Sequence, residues 1–194
     1  IKEKALAMMV AEIQDGVENK LKIKFHQWFS EKSLYENGEY ERVMRHLRMH
    51  RLVYEKDDAV FLKSTQFGDD KDRVMVKSDG SETYLASDAA YMWNRFKTRK
   101  FDHVIMIVGA DHIGFHSRMQ AVAEAIGAKG KLEIIFMQLV RLLKDGKELR
   151  MSKRAGNVIL LRDLVEEFGR DIVRWFFNEK ALSTQMAFDM ALAR

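Results

Sequence analysis

The 194-residue chain contains no cysteine and no proline. The first absence excludes a disulfide framework, a thiolate zinc site and a cysteine nucleophile. The second removes the commonest mark of a rigid linker. Long apolar runs are missing too: nothing approaches the ~18 consecutive residues of a membrane span, and the opening Ile1-Lys2-Glu3-Lys4 lacks the basic-then-apolar pattern of a signal peptide. Dense charge of one sign is also absent. Thirty-three Lys and Arg stand against 29 Asp and Glu, a formal charge of +4 spread along the chain, which permits an RNA partner without requiring one. The six histidines are scattered and suggest no metal cluster. Together these absences lead us to expect a soluble, cytoplasmic protein with no membrane association.

What is present is enough apolar material, 47% of residues, for one good core or one core with a satellite. The chain starts with Ile1 and stops within Phe188-Asp189-Met190-Ala191-Leu192-Ala193-Arg194; we read it as a piece of a longer protein.

Periodicity separates two halves. Ala5, Leu6, Met9, Val10 and Ile13 recur at helical spacing, with Gly16 as the expected stop; Leu21, Ile23 and Phe25 alternate with lysines as a strand would. Tyr40, Val43, Met44 and Leu47 mark a helix over 39–51. Strands are expected at 59–63 and 74–77, with turns at Gly68-Asp69-Asp70 and Ser78-Asp79-Gly80. Residues 1–78 thus read as a small α+β unit. From 79 to 160 the pattern changes to helix 84–99, apolar run 104–108, helix 113–126 and apolar run 132–140, the alternation of a parallel-sheet α/β domain. Lys144-Asp145-Gly146-Lys147 suggests a hairpin turn, and residues 161–194 hold two short helices split at Gly169. The large aromatics Trp28, Trp93, Trp175, Phe176 and Phe177 are expected in the core or at its rim.

Ligands of parallel α/β sheets bind at the carboxyl ends of strands, and the run 104–108 ends in Gly109-Ala110-Asp111-His112. Asp111, His112 and His116 are therefore placed to hold a nucleotide at a strand end and helix start. His112 and His116 lack a third ligand for a metal, so no metal site is assigned. The loop Arg150-Met151-Ser152-Lys153-Arg154-Ala155-Gly156-Asn157 follows the last strand of this pattern. Its residues suit a phosphate-binding loop, with Lys153 offsetting charge on a leaving group and Ser152 and backbone N–H groups adding hydrogen bonds; a solvated basic turn has the same composition. Tyr84 and Asp88 share one face of a helix start. The pair suits a guanidinium, which a carboxylate can bind with paired hydrogen bonds and an aromatic ring can stack upon. An acid favoured by the helix dipole beside a half-buried tyrosine would look the same.

Arg150 to Arg154 resembles the Lys-Met-Ser-Lys-Ser signature of class I aminoacyl-tRNA synthetases, with Arg150 and Arg154 replacing the outer residues and Lys153 kept. Asp69-Asp70-Lys71-Asp72-Arg73-Val74, Lys77-Ser78-Asp79-Gly80, Thr83-Tyr84, Gly109-Ala110-Asp111-His112 and Phe188-Asp189 are similar to stretches of the arginyl-tRNA synthetases within that class. The resemblance implies the second half of a Rossmann-like nucleotide-binding domain, preceded by the α+β insertion unit and followed by helices leading to an anticodon-binding domain. It implies catalytic roles for Lys153 and Ser152, ATP binding by Gly109, Asp111, His112, Met151, Ser152, Lys153 and Arg154, and arginine recognition by Tyr84 and Asp88. ATP with Mg²⁺, arginine and tRNA(Arg) are the implied substrates and partners, and arginyl-adenylate the implied intermediate. His112-Ile113-Gly114-Phe115-His116 superficially resembles the class's first signature, but it lies too close to the lysine loop; the true one is expected before Ile1. The isolated chain is accordingly expected to aminoacylate poorly. The alternative is a non-catalytic RNA- or protein-binding module derived from such an enzyme.

Overall fold

The computed structural model describes residues 1–112, 114–149 and 158–194. It is an α/β protein in two compact units, Phe29–Phe136 and Ile1–Trp28 with Met137–Arg194.

The Phe29–Phe136 unit begins with a short helix α2 (Ser33–Glu36) and helix α3 (Glu39–Met49), which Gly38 introduces in the left-handed region at φ 72°, a conformation that glycine adopts without steric cost. α3 buries Val43, Met44 and Leu47 and also the acid Glu39. Strands β1 (Val53–Lys56), β2 (Ala59–Leu62) and β3 (Arg73–Val76) form an antiparallel sheet in that order. β1 was not apparent in the sequence. Its turn, Asp57-Asp58, has both residues at positive φ, where Asp is tolerated and the chain reverses in two residues. Helix α4 (Tyr84–Trp93) continues as a wider turn through Asn94–Thr98, then come β4 (Val104–Gly109), α5 (Phe115–Ala125) and β5 (Leu132–Met137). β4 and β5 are parallel neighbours, so β4-α5-β5 is a βαβ unit.

One core runs through this unit. Leu34, Val43, Leu47, Leu62 and Met75 from the first elements pack with Ala86, Ala89, Met92, Met119, Val122 and Ile126 from the later ones. For that reason the compact unit extends across residue 78.

In the other unit, α1 (Lys2–Gln14) does not stop at Gly16. It widens into a turn over Asp15–Lys20, closed by Leu21 N–H donating to the Gly16 carbonyl. The expected strand at 21–25 is absent. Only Leu21 is buried, in a core with Leu164, Phe168, Val173 and Phe176, while Lys22 takes φ 57° and Phe25 is exposed. Arg174 donates to the Leu21 carbonyl at 2.8 Å and fixes that end. The apolar run 132–140 is also split, because β6 (Val140–Lys144) belongs to another sheet. It pairs antiparallel with β7 (Lys147–Glu148) across the expected hairpin turn and parallel with β8 (Met186–Asp189). α6 (Leu161–Phe168) and α7 (Arg170–Glu179) divide at Gly169, as the sequence suggested. Phe188 is fully buried against Phe168 and Phe176, whereas Trp175, expected in the core or at its rim, is 60% exposed.

The carboxylate of Glu39 ties α3 to the continuation of α4. It accepts from Asn94 Nδ2 at 3.0 Å and Thr98 Oγ1 at 2.9 Å, with Arg42 Nη1 at 3.3 Å. Removing it leaves buried donors without a partner, which typically costs more than the bond itself contributes. Glu39→Leu should therefore lower unfolding stability by ~2–4 kcal/mol, read as a shifted midpoint in urea denaturation.

Candidate functional site

The start of α4 is fixed by β3. Thr83 donates its N–H to the Met75 carbonyl at 2.9 Å and its hydroxyl to the Val74 carbonyl at 2.8 Å. This places Tyr84 at the first helical position and Asp88 one turn on, with Leu85, Ala86, Ala89 and Ala90 buried on the opposite side. The Tyr84 ring is 91% exposed, so it is not a core residue. It walls a depression of about 620 Å³ with Glu31, Tyr35, Lys77, Glu82 and Ser87.

Asp88 is half-buried, and its carboxyl is pushed up to about 6. Burial is the main cause and the negative charge of Glu31 adds to it; Arg95 and Arg118 pull in the opposite direction through space without forming a hydrogen bond to it. Arg95 lies instead over the Tyr91 ring at 3.6 Å, and Tyr91 stacks on Phe29 at 4.5 Å. Asp88 is thus a poorly solvated carboxylate that no described cation neutralises at contact distance. Such a group favours a cationic ligand, which relieves the cost of its charge.

The turn before β3 is anchored by Asp69, which is buried. It receives both Arg73 Nε and Nη2 at 2.8 Å, the Asp70 N–H at 2.9 Å and Ser117 Oγ at 3.1 Å from α5. The Arg73 guanidinium, followed by these N–H and O–H donors, holds the Asp69 carboxyl well below the usual carboxylate range.

The second predicted group lies at the carboxyl end of β4. Gly109 closes the strand, and Asp111 and His112 follow in one turn of 3₁₀ helix, both exposed. A Cβ on Gly109 would stand 2.5 Å from Asp111 Oδ1, so the missing side chain is what lets the Asp111 carboxylate fold back over the strand end. His112 Nε2 lies 3.7 Å from Asp111 Oδ2. Among the described residues no three His, Asp or Glu come together as a metal site, and no helix is long and apolar enough to cross a membrane. Met151, Ser152, Lys153 and Arg154 lie outside the described residues.

The sequence did not point to Glu31, Arg95 or Arg118 as neighbours of Asp88. Arg95 shares a helical face with Asp88 and Tyr91, a signal that was available. Glu31 and Arg118 come from distant segments and were not legible. The raised Asp88 carboxyl makes a stability prediction. Between the ordinary value of 3.8 and about 6 the folded chain binds more protons than the unfolded one, so this residue's contribution to stability falls as pH rises through that window and is fully lost above it. Asp88→Asn should be as stable as wild type near pH 4 and more stable at pH 7, by ~1–2 kcal/mol after allowance for partial solvent access. Thermal melts of both proteins across that range check this, and a difference independent of pH would contradict it.

The chain is similar to known proteins along nearly its whole length. The model of the family described as tRNA synthetases class I (R), catalytic domain, matches residues 3–189. The arginine--tRNA ligase of Bacillus velezensis is 46% identical over 193 residues, covering 99% of this chain and 34% of that protein. The one from Aquifex aeolicus is 46% identical over 190 residues, 97% of this chain and 32% of that protein. The chain therefore spans about a third of the length of these relatives. Among solved structures, a putative arginyl-tRNA synthetase from Campylobacter jejuni superposes with a TM-score of 0.88 at 38% identity, covering 97% of this chain and 41% of that one. The Thermus thermophilus arginyl-tRNA synthetase, at 12% identity and TM-score 0.77 over 99% of this chain and 42% of that one, shares the fold. With the family match running almost from end to end, the chain belongs to the arginine-specific class I tRNA synthetase catalytic-domain family.

Proposed function

We propose that the protein carrying this chain is an arginine–tRNA ligase, which activates arginine with ATP to arginyl-adenylate and transfers the arginyl group to tRNA(Arg). The observation that carries this reading is Asp88: a half-buried carboxylate, beside an exposed tyrosine ring, without a contacting cation among the described residues, in a chain of this family. A guanidinium supplies what the site lacks. It can donate two parallel hydrogen bonds to the Asp88 carboxylate while its plane lies against Tyr84, and Glu31 adds negative potential from the opposite segment.

Gly109, Asp111 and His112 stand on the nucleotide side, at the strand end where α/β sheets take such ligands. Residues 79–160 then correspond to the second half of a Rossmann-like domain, residues 1–78 to an insertion, and residues 161–194 to the junction toward an anticodon-binding domain. Met151, Ser152, Lys153 and Arg154 are assigned to ATP, with Lys153 and Ser152 stabilising charge on the departing pyrophosphate. Mg²⁺ would travel with the ATP phosphates, held largely by substrate oxygens. Because phosphate contacts from one side act together with those from the other, the isolated chain should show little aminoacylation.

ATP–pyrophosphate exchange by the full-length protein, with arginine and cognate tRNA, tests the assignment. Exchange should require arginine; Lys153→Ala should lower kcat by ~10²-fold or more, whereas Asp88→Ala should chiefly raise the arginine KM. Wild-type protein that exchanges nothing with arginine would instead identify a non-catalytic binding module. A second prediction follows from Asp88 ionising at about 6. Arginine binds its charged form, so affinity should rise with pH and level off above that value; at pH 5 it should be ~10-fold weaker than at pH 7.5. Calorimetric titration checks this, and Asp88→Asn should abolish the dependence together with most of the affinity.

A further inference from the structure

The two halves of the proposed site stand on different elements. Tyr84 and Asp88 belong to the start of α4, whereas Gly109, Asp111 and His112 follow β4 and lead into α5. From Met119 onward α5 is held by apolar burial, through Met119, Val122 and Ile126. Its first turn, Phe115 to Arg118, has no buried residue. Among the described residues, the side-chain hydrogen bond that ties this turn to another element runs from Ser117 Oγ to Asp69 Oδ1, at 3.1 Å. Asp69 also accepts Arg73 Nε and Nη2, each at 2.8 Å, and Arg73 opens β3. The Asp69 side chain is fully withdrawn from water and that of Arg73 is 15% exposed, so neither can leave without stranding the other's charge. The next two residues of β3 receive the Thr83 hydroxyl and N–H on their carbonyls and so fix the start of α4. A continuous tie therefore connects the first turn of α5 to Tyr84.

We infer that Asp69 and Ser117 are positioning residues for the activation step, setting the nucleotide side at the start of α5 against the arginine side on α4. The inference rests on the ligase reading above. Forming the adenylate joins a carboxylate oxygen of arginine to the α-phosphorus of ATP as the bond to pyrophosphate breaks, so the barrier depends on how two separately held ligands are placed relative to each other. A small displacement of the α5 turn leaves each ligand its own contacts and lengthens the approach between them. Both residues act through the elements they join, and their loss falls on kcat, not on KM.

Ser117→Ala removes the tie and leaves the Asp69–Arg73 pair in place. In ATP–pyrophosphate exchange by the full-length protein, with arginine and cognate tRNA, it should lower kcat ~5–10-fold and keep KM for arginine and for ATP within about two-fold of wild type. Ser117→Thr, which keeps the hydroxyl, should recover most of the rate. The control is Thr98→Val, which removes a hydrogen bond of the same kind to Glu39 at the far end of the α4 continuation; thermal melts should show a comparable loss of stability, with kcat unchanged. A wild-type kcat in Ser117→Ala, a loss carried by KM, or an equal fall of kcat in Thr98→Val would overturn the inference and leave the ligase reading standing. Wild-type protein that exchanges nothing with arginine overturns the ligase reading, and this inference with it.

Discussion

The Phe29–Phe136 unit depends on how closely α4 can be packed. Ala86, Ala89 and Ala90 are fully buried and too small to hold neighbours away. β3, α3 and α5 therefore approach its backbone, and the helix becomes the axis around which one core closes. Interior close packing of this kind transmits position rigidly. Everything on the opposite face inherits that rigidity, including Asp88.

From this constraint follows the electrostatics. A carboxylate on a freely solvated helix would keep its ordinary ionisation. Asp88 is partly withdrawn from water because its helix is drawn into the core, and the same packing brings Glu31 near it. The cost of its charge is borne by the folded state. Ionisable groups shifted in this way by their surroundings are common at functional sites. Asp69 shows the opposite outcome: buried, it is fully supplied with donors and stabilises the turn before β3.

Much of the fold was legible where local chemistry decided it. The helices over 39–51 and 84–99, the βαβ alternation, the hairpin at Asp145-Gly146 and the break at Gly169 follow from periodicity and turn residues, and the structure agrees. The failures share a cause. Leu21, Ile23 and Phe25 alternate like a strand, yet Leu21 is drawn alone into a core built from α6, α7, β6 and β8. The run 132–140 is uniformly apolar, but its ends serve different sheets. β1 ends in the charged pair Glu55-Lys56 and so gives no apolar run, and β8 forms only beside β6.

The sequence by itself determined which residue types were available for chemistry and their place on local elements: Tyr84 and Asp88 on one helical face, Gly109, Asp111 and His112 after a buried strand, and a basic loop at 150–157. It also determined what was excluded, because chemistry requiring cysteine cannot arise from a chain without it. Only the tertiary structure decided which charges are expensive and which are satisfied. Asp69, Asp88, Arg73 and Arg118 are ordinary ionisable residues in the sequence; desolvation and partner geometry, set by segments far apart in the chain, separate the neutralised pair Asp69–Arg73 from the two groups that have no ion-pair partner among the described residues.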